Sequence, residues 1–363
     1  MANEIDINEN DLLQRYPDVL QTLLRDHSRF NNLREQLCRE GKTTKEAEGR
    51  EDECHIIWAT DNYEPFGKGF RYHDQITIDN ITGENALIVR PRVMKTLTEQ
   101  TQRSKDMAEV FTPSWVCNAQ NNLVDEAWFG RPNVFNTEYT DEMGEHLWTP
   151  TEGKIAFEND NPERTWLAYV KDIRMEMTCG EAPYLVSRYD TVSGKCIPVS
   201  HRIGLLDRKL RVISENVEDK AEWMKMAKTA LKAIYGFEWQ GDNLLLAREA
   251  VFYTIIDYYK EKFGEEPPKR SLAGLAYIIS WNLWQMDGLK MVVPDTCHDD
   301  VLVSQSLFGG EERTIIPCQG CKTGNHCLHN GIKCRIRDWN YTGKVWDKER
   351  PFFYTLLNNY KHS

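Results

Sequence analysis

Apolar positions recur at helical spacing over much of this chain and give way in places to short apolar runs. Leu12, Leu13, Tyr16, Leu20, Leu23 and Leu24 predict a first helix over residues 8–26. Residues 39–53 (REGKTTKEAEGREDE) are charged without an apolar period and read as a mobile loop. Strands are expected at His55–Ala59, Asp74–Ile78 and Ala86–Val89. From about residue 90 strand-like runs alternate with amphipathic helices. Helices are expected at Pro113–Trp128, Trp166–Lys171, Ile203–Val217, Ala221–Tyr235, Leu244–Phe263 and Leu272–Ser280, and strands at Arg174–Thr178, Ile234–Trp239 and Gly288–Val293. This alternation predicts an α/β fold with helices on both faces of a sheet. The pattern divides the chain into an N-terminal α+β module (1–89), a central α/β domain (90–309) and a Cys-rich tail (310–363).

Composition alters this picture in two ways. The formal net charge is −11 over 363 residues. A protein that merely coats nucleic acid is usually basic, so contact with phosphate needs a local patch or a partner chain. Arg90, Arg92, Lys95, Arg103 and Lys105 form one candidate patch, and Arg202, Arg208, Lys209 and Arg211 a second; both also read as solvated helix faces. The polar N-terminus lacks the apolar core of a secretory signal, and Leu272–Leu283 is too short to span a bilayer. A cytoplasmic protein without membrane contact is expected. Its ten cysteines then read as thiols or metal ligands, not a disulfide framework.

Four segments carry candidate chemistry. In Ala108–Val116, Pro113 suits the first turn of a helix whose free N–H groups would attract a carboxylate. In Met175–Leu185, a strand bends at Gly180, flanked by Glu176, Cys179 and Glu181; taken alone, the segment reads first as an ordinary strand-to-loop turn. Ile234–Asn243 places Glu238 at a strand end, where a carboxylate can bind ribose hydroxyls. Trp239 beside it reads as an adenine cover or as a core aromatic. In Asn282–Leu289, Asp287 precedes a glycine and reads as an acceptor for an amino group or as a plain Asp-Gly turn.

Taken in order, these segments resemble the amino-methylating DNA methyltransferases of restriction–modification systems, particularly the adenine-specific modification (M) subunits. The resemblance spans roughly residues 105–290. Phe111, Thr112 and Pro113 match the family's E-V-F-T-P segment, Glu176 through Leu185 its glycine loop, Tyr235, Gly236 and Glu238 with Ala247 and Arg248 its second segment, and Asp287 its third. The resemblance implies a Rossmann-like, doubly wound sheet that binds S-adenosylmethionine through Phe111, Thr112, Pro113, Glu176, Cys179, Gly180, Glu181, Glu238, Trp239 and Asp287. It implies a base in double-stranded DNA as substrate, flipped out for reaction, and a restriction or catalytic partner subunit. The sequence departs from the family at two points. Ala182 and Pro183 replace the second glycine of the loop and the residue after it, and no Asp/Asn/Ser-Pro-Pro-aromatic tetrapeptide follows Asp287. No catalytic residue is therefore named. A binding subunit that has lost catalysis is the alternative, and a zinc-stabilised nucleic-acid-binding protein without cofactor is the third reading.

The tail contains Cys318-x2-Cys321-x5-Cys327-x6-Cys334 with His326 and His329 among the thiols. The C-x-x-C turn suits tetrahedral zinc, with Cys318, Cys321, Cys327 and Cys334 as the expected ligands and either histidine as a substitute. Free, partly buried thiols are the alternative. Lys333, Arg335 and Arg337, with Trp339 and Tyr341, read as a basic strand for phosphate or as a solvated edge.

Overall fold

The computed structural model describes residues 8–43, 45–46, 49–107, 109, 112–158, 161–305 and 311–359. In chain order the helices are α1 (Glu9–Arg15), α2 (Pro17–Leu24), α3 (His27–Arg39), α4 (Ile78–Ile81), α5 (Leu97–Met107), α6 (Ser114–Phe129), α7 (Trp166–Lys171), α8 (Leu205–Asn216), α9 (Lys220–Leu231), α10 (Gly241–Phe263), α11 (Lys269–Asn282), α12 (Gln319–Thr323), α13 (Trp346–Glu349) and α14 (Phe353–Asn359). The strands are β1 (Asn136–Thr140), β2 (His146–Pro150), β3 (Arg174–Met177), β4 (Ile234–Glu238), β5 (Leu283–Gln285), β6 (Asp300–Gln305) and β7 (Glu311–Ile316). The protein is mixed α/β, about 49% helix and 12% strand, with small sheets. The largest among the described residues has three strands in the order β3-β4-β5. β1-β2 and β6-β7 form two separate antiparallel hairpins.

The chain forms two compact units. The first comprises 1–24, 77–237 and 242–283; the second comprises 25–76, 238–241 and 284–363. In the first unit β3 and β4 run parallel, with Arg174 opposite Ile234 and Met177 opposite Phe237. A parallel pair needs a long crossover, supplied here by α8 and α9. Helix α10 supplies much of the core. Leu244, Leu245, Leu246, Ala247, Val251, Phe252 and Ile255 are all fully buried, as expected of a helix that is apolar around its circumference. Arg248 belongs to this helix and is 1% exposed. Its guanidinium donates to the carbonyls of Leu283 (2.7 and 2.9 Å), Ser280 (3.2 Å) and Leu23. A buried cation thus satisfies carbonyls left open at the C-terminal ends of α2 and α11.

In the second unit, Gln285 brackets the Ile57 peptide, accepting from its N–H (2.9 Å) and donating to its carbonyl (2.8 Å). Arg335, buried, binds Glu35 (2.8 Å), Asp347 (3.1 Å) and the Arg350 carbonyl (2.7 Å).

Most of the expected helices form, and four departures have local causes. The helix expected over 8–26 breaks in two because Pro17 forces Tyr16 out of helical geometry (φ −147°). His55–Ala59 and Asp74–Ile78 make a single antiparallel bridge, Ile57 with Gln75, and Ala86–Val89 makes no strand. The third strand lies at Leu283–Gln285, directly out of α11, and not at 288–293. There Asp287 turns the chain back on itself, with Val292 as its bridge partner. Both hairpins were hidden because their strands lie largely exposed and carry no clean apolar alternation.

Candidate metal centre and cofactor segments

The second unit brings Cys297, Cys318, Cys321 and His329 together, with one donor atom from each lying within 4.8 Å of the others. Cys318 sits immediately before α12 and Cys321 lies within its single turn, so the C-x-x-C spacing wraps two thiols onto one side. Gly324, in left-handed geometry (φ 69°), ends that turn. The Cys297 sulfur is 3.4 Å from Cys318 Sγ, 3.7 Å from Cys321 Sγ and 3.3 Å from His329 Nδ1. His329 Nδ1 is 3.7 Å from each of the other two sulfurs. Sulfur ligands about 2.3 Å from a tetrahedral zinc ion stand roughly 3.8 Å apart, and a sulfur and a nitrogen roughly 3.5 Å. The four donors therefore already describe the edges of such a tetrahedron, and the sulfurs are too far apart for a disulfide.

The surrounding residues hold this geometry. Cys318 N–H donates to Asp299 (3.0 Å). Asn330 clasps the His298 peptide, donating to its carbonyl (2.7 Å) and accepting from its N–H (3.2 Å), which ties the Cys297 loop to the His329 loop. Gly320 lies against His329. A Cβ there would stand 2.5 Å from the ring carbon Cγ, from Nδ1 and from the backbone nitrogen. Gly320→Ala is accordingly expected to displace the imidazole and weaken metal binding at least tenfold in a chelator competition; unchanged affinity would show that His329 is not a ligand. Burial opposes ionisation of Cys318, but N–H groups of Cys321 and Asn330 donate to its sulfur and bring its pKa down to about 6. Burial, reinforced by the neighbouring thiols, pushes Cys297 up to about 12.

The ligand set differs from the expected one. Cys318 and Cys321 are in it, His329 enters as one of the two histidines expected as substitutes, and Cys297 was not expected; Cys327 and Cys334 are not in it. Cys334 is fully buried and its thiol donates to the Gln285 carbonyl (3.5 Å). Cys327 belongs to a 3-10 turn whose carbonyl accepts from Lys333 (2.8 Å). Cys297 was missed because the β6-β7 hairpin separates it from the C-x-x-C by 21 residues. The basic strand is also otherwise engaged: Lys333 serves the Cys327 carbonyl, Arg335 its ion pairs, and Arg337 binds Glu349 (2.5 Å).

In the first unit, three of the four sequence segments meet in one buried ionic network. Arg103 (3% exposed) donates to Glu109 of the first segment, and to Asp242 (2.9 Å) and Asn243 (3.3 Å) beyond β4. Lys95 also reaches Asp242, at 3.4 Å. Glu181, from the loop after β3, accepts from Arg92 N–H (2.7 Å) and the Tyr189 hydroxyl (2.8 Å). Burial raises its pKa, opposed by the Lys95 charge. Cys179 N–H caps the strand pair by donating to the Phe237 carbonyl (2.8 Å). Gly180 follows with φ 52°, and a Cβ there would meet nothing within 4 Å. Ala182 is itself left-handed (φ 65°) and fully buried. Glu176 accepts from Tyr184 N–H at 3.4 Å.

Phe111 lies outside the described residues. The Thr112 carbonyl accepts from the Thr191 hydroxyl (3.1 Å). Pro113 is the N-cap of α6 rather than its first residue, and Ser114 N–H already meets a carboxylate, that of Asp190 (2.7 Å). Burial would raise the Asp190 pKa, but the Ser114 and Ser193 donors hold it below the usual range.

In the second unit, Glu238 is buried and accepts from Gln240 N–H (3.3 Å). Trp239 is half-buried and donates to the Tyr72 hydroxyl (2.9 Å). Asp287 Oδ1 accepts from Leu289 N–H (2.9 Å) and Lys290 N–H (3.0 Å), which is the Asp-Gly turn.

Most cations of the two basic patches are engaged within the fold, although Lys105 of the first is exposed. In the first, Arg103 and Lys95 are buried in the network. In the second, Arg208 (1% exposed) pairs with Asp125 (2.5 Å) and Lys209 donates to the Val170 and Asp172 carbonyls. Arg202 pairs with Asp257 (2.7 Å) and Arg211 with Glu215 (2.8 Å). No family model matches the chain, and neither does any curated protein or solved structure.

Proposed function

We propose that this chain binds S-adenosylmethionine and acts as an adenine-specific DNA methyltransferase or modification subunit, with zinc in the Cys3His site. The observation that carries the cofactor reading is Arg103, which ties Glu109 to Asp242 and Asn243 and so joins segments far apart in sequence but matched in order to one family. Gly180 supports it as well, since the side its missing Cβ would occupy, just after β3, is open. Phosphate- and carboxylate-bearing ligands of open α/β sheets bind at such strand ends. In this reading β3, β4 and β5 belong to a doubly wound, methyltransferase-type sheet. Gly180 makes room for the methionine part and Glu238 takes the ribose. When bound, the cofactor supplies an electrophilic methyl group. Asp287 enters only through its turn, because its carboxylate is engaged there. Zinc suits the donor set because three thiolates and an imidazole match its preferred structural ligands. The protein is proposed to be cytoplasmic, where such thiols stay reduced.

A second reading, a binding subunit beside an active partner, is favoured by one specific feature. Past Asp287 the chain runs into the Cys297 loop, with no Pro-Pro-aromatic segment. The ion pairing of both basic patches points the same way, leaving DNA contact to other surfaces or to the partner. Calorimetry with S-adenosylmethionine tests the cofactor reading: binding is expected, and Glu238→Ala is expected to weaken it at least tenfold. No heat with the cofactor or its demethylated product would end it. Transfer of labelled methyl to DNA by the isolated chain would exclude the binding-subunit reading. Binding of DNA without any cofactor affinity would favour a zinc-stabilised nucleic-acid-binding protein instead.

A further inference from the structure

Between α6 and the β1-β2 hairpin of the first unit lies a cleft of about 220 Å³ that contains none of the proposed cofactor residues. Its walls follow from the hairpin register. Glu138 stands opposite Trp148, and Thr140 opposite His146. Paired and alternate residues share a sheet face, so Glu138, Trp148 and His146 lie on one side of the ribbon. Helix α6 meets that side with Trp115 and Asn118, which are three residues apart and so on one helix face. The Trp115 indole stacks on the His146 imidazole, with centroids 4.1 Å apart and planes inclined by 18°. Trp115 remains 41% exposed. The Trp148 ring is held in place by its own N–H, which donates to the His201 carbonyl (2.8 Å).

The carboxylate of this cleft is oriented from behind. Glu138 Oε1 accepts from the side-chain amides of Asn118 (2.7 Å) and Asn122 (2.9 Å). Asn136 exchanges two hydrogen bonds with Asn118 (2.8 and 2.9 Å). Arg208, from α8, donates to the amide oxygens of Asn118 (3.0 Å) and Asn122 (2.8 Å). Asn118, Asn136 and Arg208 are all buried, whereas Glu138 is exposed. A guanidinium only donates, so both amide oxygens must face Arg208 and both NH2 groups must face Glu138. A buried cation and three amides thus fix the direction of one exposed carboxylate. Both donors fall on Oε1, and a carboxylate accepts through both of its oxygens, which leaves Oε2 as the acceptor for a ligand.

We propose that this cleft binds an unpaired nucleobase with an exocyclic amino group, the base extending the Trp115–His146 stack while its amino group donates to Glu138 Oε2. Adenine and cytosine carry such a group, and unpaired bases are commonly held by stacking on aromatic side chains with hydrogen bonds to their edges. The shape favours a flat ring over an organic cation. Two nearly parallel rings present a plane, whereas an ammonium-type ligand is recognised by rings that cage it. The volume also fits one ring system, since sites for drug-sized molecules begin at roughly 300 Å³. Sugar and phosphate then stay outside, away from the carboxylate. The base belongs either to a free nucleoside or to a strand in which it is unpaired; the recognising chemistry is the same.

Titration of the full-length chain with adenosine, cytidine and thymidine, followed by saturation-transfer NMR of the nucleoside, tests this. No S-adenosylmethionine is present, so the result is independent of the cofactor reading. Adenosine and cytidine are expected to bind about tenfold more tightly than thymidine, which offers a carbonyl where cytidine has its amino group. Trp115→Ala is expected to weaken all three by about fivefold or more, because stacking ignores the base edge. Glu138→Gln is the decisive variant. The Asn118 and Asn122 donors keep an oxygen at the Oε1 position, so the new NH2 replaces Oε2 and the preference inverts toward thymidine. A network that only braces the hairpin predicts no inversion. An oligonucleotide with one unpaired adenine separates the two sources: tighter binding than adenosine assigns the base to a strand, and equal or weaker binding to a free nucleoside. No saturable binding of adenosine or cytidine, equal affinity for thymidine in the wild-type chain, or an unchanged preference in Glu138→Gln would overturn the proposal. Binding of tetramethylammonium without any nucleoside would likewise overturn it and give the cleft to a cation.

Discussion

Cys297→Ser is expected to strip the metal from the protein as completely as Cys318→Ser or Cys321→Ser. Cys327→Ser and Cys334→Ser are expected to leave about one equivalent in place. The contrast follows from the donor geometry. Cys297 Sγ lies 3.3–3.7 Å from the other three donors, whereas Cys334 donates to the Gln285 carbonyl. The effect should be large. Structural zinc contributes on the order of 10–16 kcal/mol to folding in small metal-stabilised segments, and here it would close the long loop that carries β6 and β7. Removing zinc with a chelator should therefore expose the 290–335 segment to proteolysis while residues of the first unit stay resistant. Metal analysis of the five variants decides the matter. Retention of metal by Cys297→Ser together with its loss in Cys334→Ser would restore the ligand set expected from spacing alone.

The second large effect is expected at Asp242. Its carboxylate faces both Arg103 and Lys95, and all three are buried (0%, 3% and 7% exposed). Removing one partner from a buried ion pair leaves an uncompensated charge and costs about 3–5 kcal/mol. Asp242→Ala should lose that much in urea unfolding followed by circular dichroism. The double variant Asp242→Ala/Arg103→Met should recover part of it, because the orphaned guanidinium is gone. A loss below about 1 kcal/mol would mean that Glu109 alone satisfies Arg103. The same variants bear on the proposed function. If the network sets the spacing of the cofactor segments, Asp242→Asn should weaken S-adenosylmethionine binding while costing less stability than Asp242→Ala.

The helices were legible because each carries its own signal. Ser114–Phe129 shows a proline stop before it and a glycine after it, and Gly241–Phe263 a long apolar run. Of the parallel pair, β4 was legible as a short, buried apolar stretch between helices. The exposed hairpins were not, since a strand paired on only one edge and open on both faces has no apolar period to read. Charge misled most. Arg103, Arg208, Lys209 and Arg335 look like surface cations in sequence, yet each is buried against carboxylates or carbonyls that lie tens to hundreds of positions away.

The cysteines show the division most clearly. The sequence by itself determined that a C-x-x-C turn would present Cys318 and Cys321 on one side, because that geometry is local to four residues. It also marked the glycine that must lie in left-handed geometry after β3, Gly180, because the break in the apolar run is local too. Which residues complete the metal centre was decided only in three dimensions. The β6-β7 hairpin brings Cys297 back across a loop of 21 positions, and Gly320 leaves room for one imidazole, that of His329. In the same way, Arg103 became a junction between Glu109 and Asp242, and Asp287 was confined to its own turn, by contacts that have no counterpart in local spacing. Local rules set the elements and their ends; the partners of buried polar groups depend on long-range packing.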